Sequence, residues 1–372
     1  MKVLVTGADG FIGRNLLAHL REGGEHDVRV LTRESSAGEL AQLVGEVEVV
    51  FHLAGVNRPE DPAEFEMGNA RLTEELCDAI RRAGTPGGQP PVVVYASSTQ
   101  ADLDNPYGRS KRAGETALLS AAGSGVLAAR IFRLPNVFGK WARPNYNSAV
   151  ATFCYNVSRG LPIEIHDPSA RLRLVYVDDV VASFRRILDG DDSGDGFCDV
   201  SPVYETTVGD VAAHVREFAT SRVSLVTERV GTGFLRALYA TYVSYLPKDS
   251  FSYQVPQHTD ARGTFVEMLK TTDSGQFSFF TALPGVTRGG HYHHTKTEKF
   301  LVIRGNARFR FRNILSGETH ELFADGRSPT IVETVPGWTH DVSNVGSDEL
   351  VVMLWANEVF DRRRPDTYVC PV

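Results

Sequence analysis

The stretch MKVLVTGADGFIGRNLL, residues 1–17, places a glycine-rich turn between a β-rich run and an amphipathic helical run. Gly7, Gly10 and Gly13 give this turn a GxxGxxG spacing. Gly7 permits a tight turn, Gly10 permits close approach of the backbone to a pyrophosphate, and Gly13 permits close packing of helix on strand. Because the following helix N-terminus faces the anion, the stretch predicts a dinucleotide site at the first strand of a parallel sheet.

Two patterns follow one another along the rest of the chain. Up to about residue 200, β-rich runs such as PVVVYASS alternate with helical runs such as EELCDAIRRAG, which is typical of a parallel sheet with helices on both faces. After about residue 250, runs such as KFLVIRG and ARFRFR succeed one another without helices, which is typical of a β-sandwich or barrel. We therefore predict a Rossmann-type doubly wound α/β sheet in residues 1–246 and an all-β domain in residues 247–372.

The composition narrows the classes of partner. The 372 residues carry a net charge of −7 without a basic run, which argues against nucleic acid or an anionic membrane as a partner. The four cysteines are far apart and form no CxxC pair, which fits a reducing cytoplasm better than a disulfide framework. The apolar run VLV is too short for a secretory signal, and no 18-residue apolar segment occurs. These features predict a cytoplasmic protein that does not span a membrane.

The end of the second β-rich run, VLTRES, bears on the choice of dinucleotide. An acidic residue at this point would bind the ribose 2′-hydroxyl, whereas an arginine accommodates a 2′-phosphate. Arg33 stands there, so we predict NADPH as the cofactor. Glu34 follows directly and keeps NADH open as an alternative, and a solvated surface pair would explain both residues without a cofactor.

A tyrosine, a lysine and a serine lie where ketone reduction would need them. Tyr107 and Lys111, in PYGRSKRAGE, are one helical turn apart on the same face. Reduction of a ketone requires an acid that protonates the nascent alkoxide, and a nearby ammonium lowers the pKa of a tyrosine and can hold the cofactor ribose. Ser98 ends the preceding strand and could polarise the carbonyl. An exposed helix start after Pro106 would account for the same spacing without catalysis.

Several segments together resemble the extended short-chain dehydrogenase/reductase family, whose members modify nucleotide sugars. They are TGADGFIG, HLAG, YASS, YGRSK, RLPNVFGK and RLVYVDDV. One departure is that only eight residues separate Ser98 from Tyr107, fewer than is usual in the family. The resemblance implies a catalytic set of Ser98, Tyr107 and Lys111, a sugar-nucleotide contact from Asn136 and from Arg171 or Arg173, and a cofactor site at Gly7, Gly10, Phe11, Ile12, Gly13, Arg33, Leu53, Ala54, Gly55 and Lys111.

A second cluster of chemically active residues lies in GGHYHHTKTEKFLVIRG, residues 289–305. His291 and His293 are two apart and would point to the same face of a strand. Glu298 starts the next apolar run, and His340 follows in PGWTHDVSN. Three imidazoles and one carboxylate around an open position are typical of a catalytic metal site. We predict Zn²⁺, because the expected chemistry needs a Lewis acid without redox, although imidazole also suits Fe, Ni and Cu.

The metal-ligand spacing resembles the double motif of the cupins, which are jelly-roll barrels, with Pro336 and Gly337 adjacent where one intervening residue is usual. Upstream, HTDARGTFVEML resembles the start of cupin-type dTDP-4-dehydrorhamnose 3,5-epimerases, and this likeness implies that Arg262 contacts a phosphate. In its domain order the chain resembles bifunctional capsular polysaccharide enzymes. That resemblance implies C3 epimerisation of UDP-2-acetamido-2,6-dideoxy-hexos-4-ulose in the cupin, then NADPH-dependent C4 reduction to UDP-2-acetamido-2,6-dideoxy-L-talose.

Three alternatives stay open for the second domain. It could be a metal-stabilised oligomerisation module beside a reductase that acts alone, or a sugar-binding regulatory domain. It could also host a redox reaction such as dioxygenation with iron. A UDP-sugar is the predicted partner, and a homodimer is the expected assembly because two-fold symmetry is the commonest in soluble oligomers.

Overall fold

The structure of the chain is a computed structural model. It describes residues 1–32, 34–84, 89–190, 196–256, 258–260, 263–265, 268–271, 275–358 and 363–372. Contacts divide the chain into two compact units, which we call the N-terminal unit, Met1–Asn147 with Leu172–Glu205, and the C-terminal unit, Ser148–Arg171 with Thr206–Val372. The division predicted at residues 246 and 247 follows the sequence patterns rather than these contacts, and it stays a prediction.

The helices are numbered in chain order. They are α1 (Phe11–Gly23), α2 (Ala37–Val44), α3 (Ala63–Phe65), α4 (Leu72–Ala83), α5 (Pro106–Gly123), α6 (Ala149–Val157), α7 (Val177–Leu188), α8 (Val208–Ser224) and α9 (Gly233–Ser244). A π-helical turn, Glu66–Arg71, joins α3 to α4, and 3₁₀ turns span Thr99–Asp102 and Lys248–Ser250. Within the described parts of the chain, none of the helices combines the length and the apolarity needed to cross a bilayer.

The strands are numbered in the same way. The first nine are β1 (Lys2–Thr6), β2 (Asp27–Leu31), β3 (Val49–His52), β4 (Val92–Ser98), β5 (Ala128–Leu134), β6 (Asn136–Phe138), β7 (Arg171–Tyr176), β8 (Gly196–Cys198) and β9 (Val203–Thr207). The next seven are β10 (Val226–Thr227), β11 (Ser252–Gln254), β12 (His258–Asp260), β13 (Gly263–Phe265), β14 (Lys270–Thr271), β15 (Gln276–Ala282) and β16 (Thr287–Tyr292). The last seven are β17 (Glu298–Arg304), β18 (Asn306–Asn313), β19 (Thr319–Asp325), β20 (Thr330–Glu333), β21 (Trp338–Asn344), β22 (Leu350–Ala356) and β23 (Tyr368–Val369).

The N-terminal unit is built on a six-stranded parallel sheet in the order β2-β1-β3-β4-β5-β8. The predicted Rossmann-type doubly wound fold is therefore confirmed. After β1 the chain first runs to β2 on one side and then to β3 on the other, so the direction of winding reverses between β1 and β3. In such sheets ligands bind outside the carboxyl ends of the strands at this reversal point.

Alternation along β1 explains why both faces of this sheet are covered. Val3 and Val5 are buried against one core that includes Leu16 of α1 and Phe184 of α7. Leu4 points to the opposite face, into a second core formed with residues of α2, α4 and α5. Each fully buried aliphatic or aromatic side chain of this kind contributes about 1.5–3 kcal/mol relative to exposure. The two cores hold the strand ends, and hence the loops that follow them, in fixed positions.

The C-terminal unit contains two five-stranded antiparallel sheets, in the orders β11-β20-β17-β22-β15 and β19-β18-β21-β16-β23. The run ARFRFR forms β18, where Phe309 and Phe311 are buried while Arg308 and Arg310 are less so, as period-2 alternation requires. Two antiparallel sheets of this kind are typical of jelly rolls. The predicted all-β second domain is confirmed, and three helices, α6, α8 and α9, belong to the same compact unit.

A buried group of charges joins α8 to the sheet that contains β17 and β20. Arg222 Nη1 lies 3.0 Å from Glu333 Oε2, and Lys299 contacts the other oxygen of the same carboxylate. Lys299 Nζ also donates a hydrogen bond to Tyr253 Oη at 3.0 Å. Burial alone would raise the pKa of Glu333, but Arg222 and Lys299 outweigh it and hold that pKa below its ordinary value. Two cations therefore share one carboxylate in a dry environment.

Candidate active site and candidate metal centre

The predicted cofactor residues at the ends of β1 and β3 lie next to each other. Gly7 has φ +69°, and a Cβ there would lie 2.5 Å from the backbone nitrogen of Ala54. A Cβ on Gly13 would lie 2.2 Å from the carbonyl oxygen of Gly7. Gly10 precedes α1 and offers no side-chain cap, so the first N–H groups of the helix keep their capacity to bind an anion. Phe11 and Ile12 are half-buried in that first turn.

Asn69 links the segment that follows β3 to helix α5, which follows β4. A Cβ on Gly55 would lie 2.6 Å from Asn69 Oδ1 and 3.4 Å from Lys111 Nζ. Asn69 Oδ1 accepts a hydrogen bond from the backbone nitrogen of Val56 at 2.9 Å, and its Nδ2 donates to Ser110 Oγ at 3.0 Å. The backbone around Gly55 is therefore fixed against Lys111. Asn69 lies in an irregular π-helical turn, and the sequence analysis did not identify it.

Helix α5 presents Tyr107 and Lys111 as the sequence predicts. Its N-cap, Asn105, accepts a hydrogen bond from Gly108 at 2.7 Å, and Pro106 occupies the first turn, so the helix starts at a fixed point. Burial raises the pKa of Tyr107, and a hydrogen bond with Ser98 partly offsets the rise. The phenol therefore keeps its proton at neutral pH, which is the form that an acid catalyst needs. The structure thus brings Ser98 and Tyr107 together.

Lys111 is almost fully buried beside these residues. Its Nζ donates to the carbonyl oxygen of Ala96 at 2.9 Å and lies 4.8 Å from the ring centroid of Tyr95. Burial lowers the pKa of Lys111 to about 8, against the opposing effect of Glu115. The ammonium is consequently held close to its point of deprotonation under mildly alkaline conditions.

Glu115 is a second residue that the sequence analysis missed. It accepts from Arg133 Nη2 at 2.6 Å and from Ser97 Oγ at 2.5 Å. Its side chain is buried, whereas that of Arg133 is about one-third exposed, with 3% and 30% relative exposure. The spacing Tyr107, Lys111, Glu115 repeats every four residues along α5, and this periodicity is the signal that could have found it.

A buried histidine orders the end of β3. His52 Nε2 lies 3.0 Å from Thr73 Oγ1, and that hydroxyl donates to the carbonyl oxygen of Asn69 at 2.8 Å. His52 Nε2 therefore donates, and Nδ1 accepts from Thr6 Oγ1 at 2.9 Å. Burial, with a smaller effect of Lys111, lowers the pKa of His52 to about 3, so the ring is neutral. The neutral ring therefore holds the end of β3 through its two hydrogen bonds and does not exchange protons at neutral pH.

The remaining predicted substrate residues lie on exposed positions or outside the described residues. Asn136 is exposed at the start of β6 and pairs with Leu174 of β7. Arg171 and Arg173 are exposed, two residues apart on β7, and Arg173 Nε lies 3.8 Å from Glu205 Oε1. The roles of these three residues stay predictions. Two further predicted contacts, Arg33 and Arg262, lie outside the described residues.

The four predicted metal ligands converge in the C-terminal unit. One donor atom each from His291, His293, Glu298 and His340 lies within 4.8 Å of all the others. Glu298 Oε2 is 3.2 Å from His293 Nε2 and 3.4 Å from His340 Nε2. The ring centroids of His291 and His340 are 4.8 Å apart. The donor set of three imidazoles and one carboxylate fits Zn²⁺ and other borderline divalent cations.

Strand pairing explains the convergence. His291 of β16 stands opposite His340 of β21 in an antiparallel pair, so both side chains leave the same face. The register of β16 shifts between Gly289 and His291, and such bulges re-aim side chains next to sites. Glu298 begins β17 in the other sheet. Three of the four candidate ligands therefore lie on strands of the two sheets, and His293 directly follows β16.

The surroundings of this cluster favour neutral histidine rings and an ionised glutamate. Burial, followed by the neighbouring His340 and His293, lowers the pKa of His291 to about 3. Burial also lowers the pKa of His340. For Glu298 burial would raise the pKa, but His293 and His340 outweigh it and hold it well below the ordinary value. Neutral imidazoles and an ionised carboxylate are the forms that bind a cation.

His294 is adjacent in sequence to one of these residues but is not part of the cluster. Its ring lies edge-on to Tyr292 and to Tyr368, with centroid distances of 5.5 and 5.0 Å. Lys296 is buried, and its Nζ lies 3.8 Å from Glu298 Oε1, so it is a neighbour of the centre rather than a ligand.

Both halves of the chain match family models. Residues 3–199 match the NAD dependent epimerase/dehydratase family, and residues 258–368 match the polysaccharide biosynthesis C-terminal domain. The chain belongs to the NAD dependent epimerase/dehydratase family and carries a polysaccharide biosynthesis domain after it.

Two relatives match this chain over its whole length. The chain is 61% identical over 372 residues to UDP-2-acetamido-2,6-beta-L-arabino-hexul-4-ose reductase of Pseudomonas aeruginosa, covering 100% of this chain and 99% of the relative. It is also similar to the capsular polysaccharide assembling protein CapF of Staphylococcus aureus, with 38% identity, full coverage of both chains and a TM-score of 0.68. UDP-glucuronic acid 4-epimerase of Bacillus cereus, at 20% identity, matches 59% of this chain and 84% of its own with a TM-score of 0.52, which concerns the fold alone.

Proposed function

We propose that this protein reduces the C4 ketone of a UDP-linked 2-acetamido-2,6-dideoxy-hexos-4-ulose with NADPH, within capsular polysaccharide or O-antigen synthesis in the cytoplasm. The observation that carries the proposal is the 61% identity over the whole chain to a reductase named for a sugar of this class. The grouping of Ser98 with Tyr107 at the end of β4, and of Lys111 one turn later on α5, supports it.

The proposed reduction assigns one role to each of three side chains. NADPH, when bound, supplies the hydride that adds to C4. The Tyr107 hydroxyl donates its proton to the developing alkoxide at O4, and the phenolate regains a proton from solvent. The Ser98 hydroxyl donates a hydrogen bond that orients the ketone oxygen. The Lys111 ammonium holds the cofactor ribose and stabilises the phenolate form of Tyr107 after proton transfer.

We further propose that the C-terminal unit epimerises C3 before this reduction. His291, His293, Glu298 and His340 would hold one divalent cation, with Zn²⁺ as the expected ion. A cation bound there supplies a Lewis acid that polarises the C4 ketone and increases the acidity of the C3 hydrogen. Epimerisation has to come first, because reduction to the alcohol removes the activation of C3. The product of both steps would be UDP-2-acetamido-2,6-dideoxy-L-talose.

A second candidate keeps the reductase and gives the cupin a structural or regulatory role. The name of the Pseudomonas aeruginosa relative mentions reductase activity alone, and this favours the second candidate over further alternatives. The two candidates agree about the N-terminal unit and differ in whether the C-terminal unit breaks a C–H bond. A homodimer and a preference for NADPH over NADH are parts of the proposal in either case.

One experiment tests both activities. The purified protein, with its metal content measured, is incubated in D₂O with the UDP-4-keto sugar, first without and then with NADPH. Deuterium at C3 without NADPH is the expected result for epimerisation, and oxidation of NADPH with formation of the C4 alcohol is expected for reduction. A fully metallated protein that introduces no deuterium would contradict the epimerase, and a ketone left intact with NADPH would contradict the reductase.

A further inference from the structure

The C-terminal segment of the chain backs the strand that carries metal ligands. Strand β23 pairs with β16, where His291 stands opposite Val369. The backbone nitrogen of Cys370 donates to the carbonyl oxygen of Gly290 at 2.8 Å, so pairing continues past the short strand. This pairing places the residues just before β23 next to the turn that joins β16 to β17.

The carboxylate of Asp366 closes that turn. Asp366 Oδ1 accepts from the backbone nitrogen of His294 at 3.0 Å. Its Oδ2 accepts from the backbone nitrogens of Thr295 and Lys296, each at 2.8 Å, and from Thr295 Oγ1 at 2.9 Å. One side chain therefore satisfies four donors in the residues that separate two metal ligands, His293 and Glu298. A carboxylate that accepts several N–H bonds in this way fixes the backbone that donates them.

The backbone of the same residue acts on a ligand directly. His293 Nδ1 lies 2.7 Å from the carbonyl oxygen of Asp366. A carbonyl oxygen can only accept, so Nδ1 carries the proton and Nε2 is left to face Glu298. Hydrogen bonds of this kind set the tautomer and the ring orientation of a metal-binding histidine.

The backbone conformation of Asp366 is one that only surrounding contacts can maintain. Its φ is +33°, which is uncommon for a residue with a side chain. Such backbone conformations are strained, and they persist where surrounding contacts determine them. Here the contacts are the four donors to its carboxylate and the His293 imidazole.

We propose that Asp366 is the positioning residue of the metal centre, whose carboxylate fixes the His293–Glu298 turn and whose carbonyl fixes the tautomer of His293. This inference rests on the proposed binding of a divalent cation by the four ligands. Asp366 is not a ligand itself. It holds two ligands in place before the ion binds, and loss of its carboxylate loosens the turn between them.

The test compares three variants of the full chain. Asp366→Asn tolerates the same backbone conformation but replaces one of the two acceptor oxygens with an NH₂ group, which cannot accept from the N–H groups of the turn. Thr295→Ala keeps the carboxylate and removes one of its four donors, together with the hydrogen bond that Thr295 Oγ1 accepts from Arg236 Nη1 at 3.1 Å. Asp325→Asn is the matched control, because Asp325 is also half-buried and its Oδ1 accepts from the turn nitrogens of Arg327 and Ser328 at 2.7 and 3.0 Å.

Each variant is titrated with Zn²⁺ in competition with a chelating dye, and its Co²⁺ form is examined by visible absorption. For Asp366→Asn we expect Zn²⁺ affinity to fall about 10- to 100-fold, with a changed Co²⁺ spectrum. Thr295→Ala should lower Zn²⁺ affinity by about two- to tenfold, and Asp325→Asn should match the unchanged protein. Circular dichroism checks that each variant is folded; if Asp366→Asn is not, Thr295→Ala alone decides.

The outcomes separate this inference from the proposed function. If the unchanged protein binds no Zn²⁺, the proposed metal site fails, and this inference fails with it. If the unchanged protein binds Zn²⁺ and a folded Asp366→Asn binds it equally tightly with the same Co²⁺ spectrum, the positioning role alone is overturned. If Asp366→Asn is unfolded and Thr295→Ala matches the unchanged protein in both measurements, the role is overturned as well.

Discussion

The candidate reductase site and the candidate metal centre are assembled in opposite ways. Ser98, Tyr107 and Lys111 come from one strand and from the first turns of the helix that follows it. The four candidate metal ligands lie on or directly after strands of two different sheets, and Asp366, the residue proposed to position them, lies close to the end of the described chain. A site built along one helix depends on local spacing, whereas a site built across strands depends on the register of distant segments.

Burial serves both sites but prepares opposite chemistry. In the N-terminal unit it raises the pKa of Tyr107, so the phenol remains a proton donor. In the C-terminal unit it lowers the pKa of His291 to about 3, so the imidazole remains an electron-pair donor. Desolvation disfavours the charged form of each group. The same physical effect therefore favours the protonated phenol of Tyr107 in one unit and the neutral imidazole of His291 in the other.

The largest expected effect separates the two chemistries. Tyr107→Phe removes the proton donor, and we expect kcat for reduction to fall about 100- to 10,000-fold while deuterium exchange at C3 without NADPH persists. Tyr146→Phe is the control, because Tyr146 is also half-buried in the N-terminal unit but lies outside the catalytic set. Loss of exchange together with reduction in Tyr107→Phe would show that the sites do not act separately.

The converse experiment removes a metal ligand. His291→Ala leaves three ligands. Loss of a residue that only hydrogen-bonds to a ligand lowers metal affinity by up to about 100-fold, so loss of a ligand itself should lower Zn²⁺ affinity by more than that. Exchange at C3 should be lost, while NADPH affinity is unchanged. His166→Ala, at an exposed histidine of the same unit, should retain the metal and the exchange. Wild-type exchange in a metal-free His291→Ala protein would remove the metal from the proposed mechanism.

The long-range construction of the C-terminal unit predicts a third effect, on stability. Glu333→Gln leaves Arg222 and Lys299 buried without their shared carboxylate, so we expect the free energy of unfolding to fall by about 3–5 kcal/mol. Glu321→Gln is the comparison, since Glu321 pairs with Arg308 at 3.8 Å on a partly exposed face and should cost less than about 1 kcal/mol. Urea unfolding of the two variants measures the difference; equal midpoints would contradict it.

The smallest expected effect concerns pH. Burial lowers the pKa of Lys111 to about 8. Its side chain is therefore fully protonated well below pH 8 and loses its charge as the pH rises through that value. An anionic cofactor raises this pKa on binding, and NADPH affinity should therefore be constant below about pH 8 and fall by up to about tenfold per pH unit above it. Fluorescence titration of NADPH measures this dependence. In Lys111→Met the same pH window should be flat, and a retained slope would assign the ionisation to another group.

The contrast between local and long-range assembly also explains what the sequence could predict. The glycine turn and the Tyr107–Lys111 spacing are local patterns, and the structure places them as expected. The convergence of the four candidate metal ligands was predictable, because strand alternation and a family spacing fix the faces of their side chains, and their role as ligands stays a prediction. Asp366 and Asn69 act through contacts with residues far away in the sequence, and no local pattern marks them. The same reason hides the shared carboxylate that ties α8 to the β-sheets.

The division of the chain into two compact units restricts how its coding sequence can be recombined. The chain passes from one compact unit to the other at residues 147/148, 171/172 and 205/206. A single crossover at residues 246/247 would exchange Lys299 and Glu333 while leaving Arg222 with the other parent. Because each unit is made of two separate segments of the chain, no single crossover exchanges one unit alone, so coding segments for the two halves are expected to travel together. In a chimera joined at residues 246/247, the residue at position 222 has to pair with the Glu333 carboxylate of the other parent. Metal binding by such a chimera can be interpreted only when this pair is present.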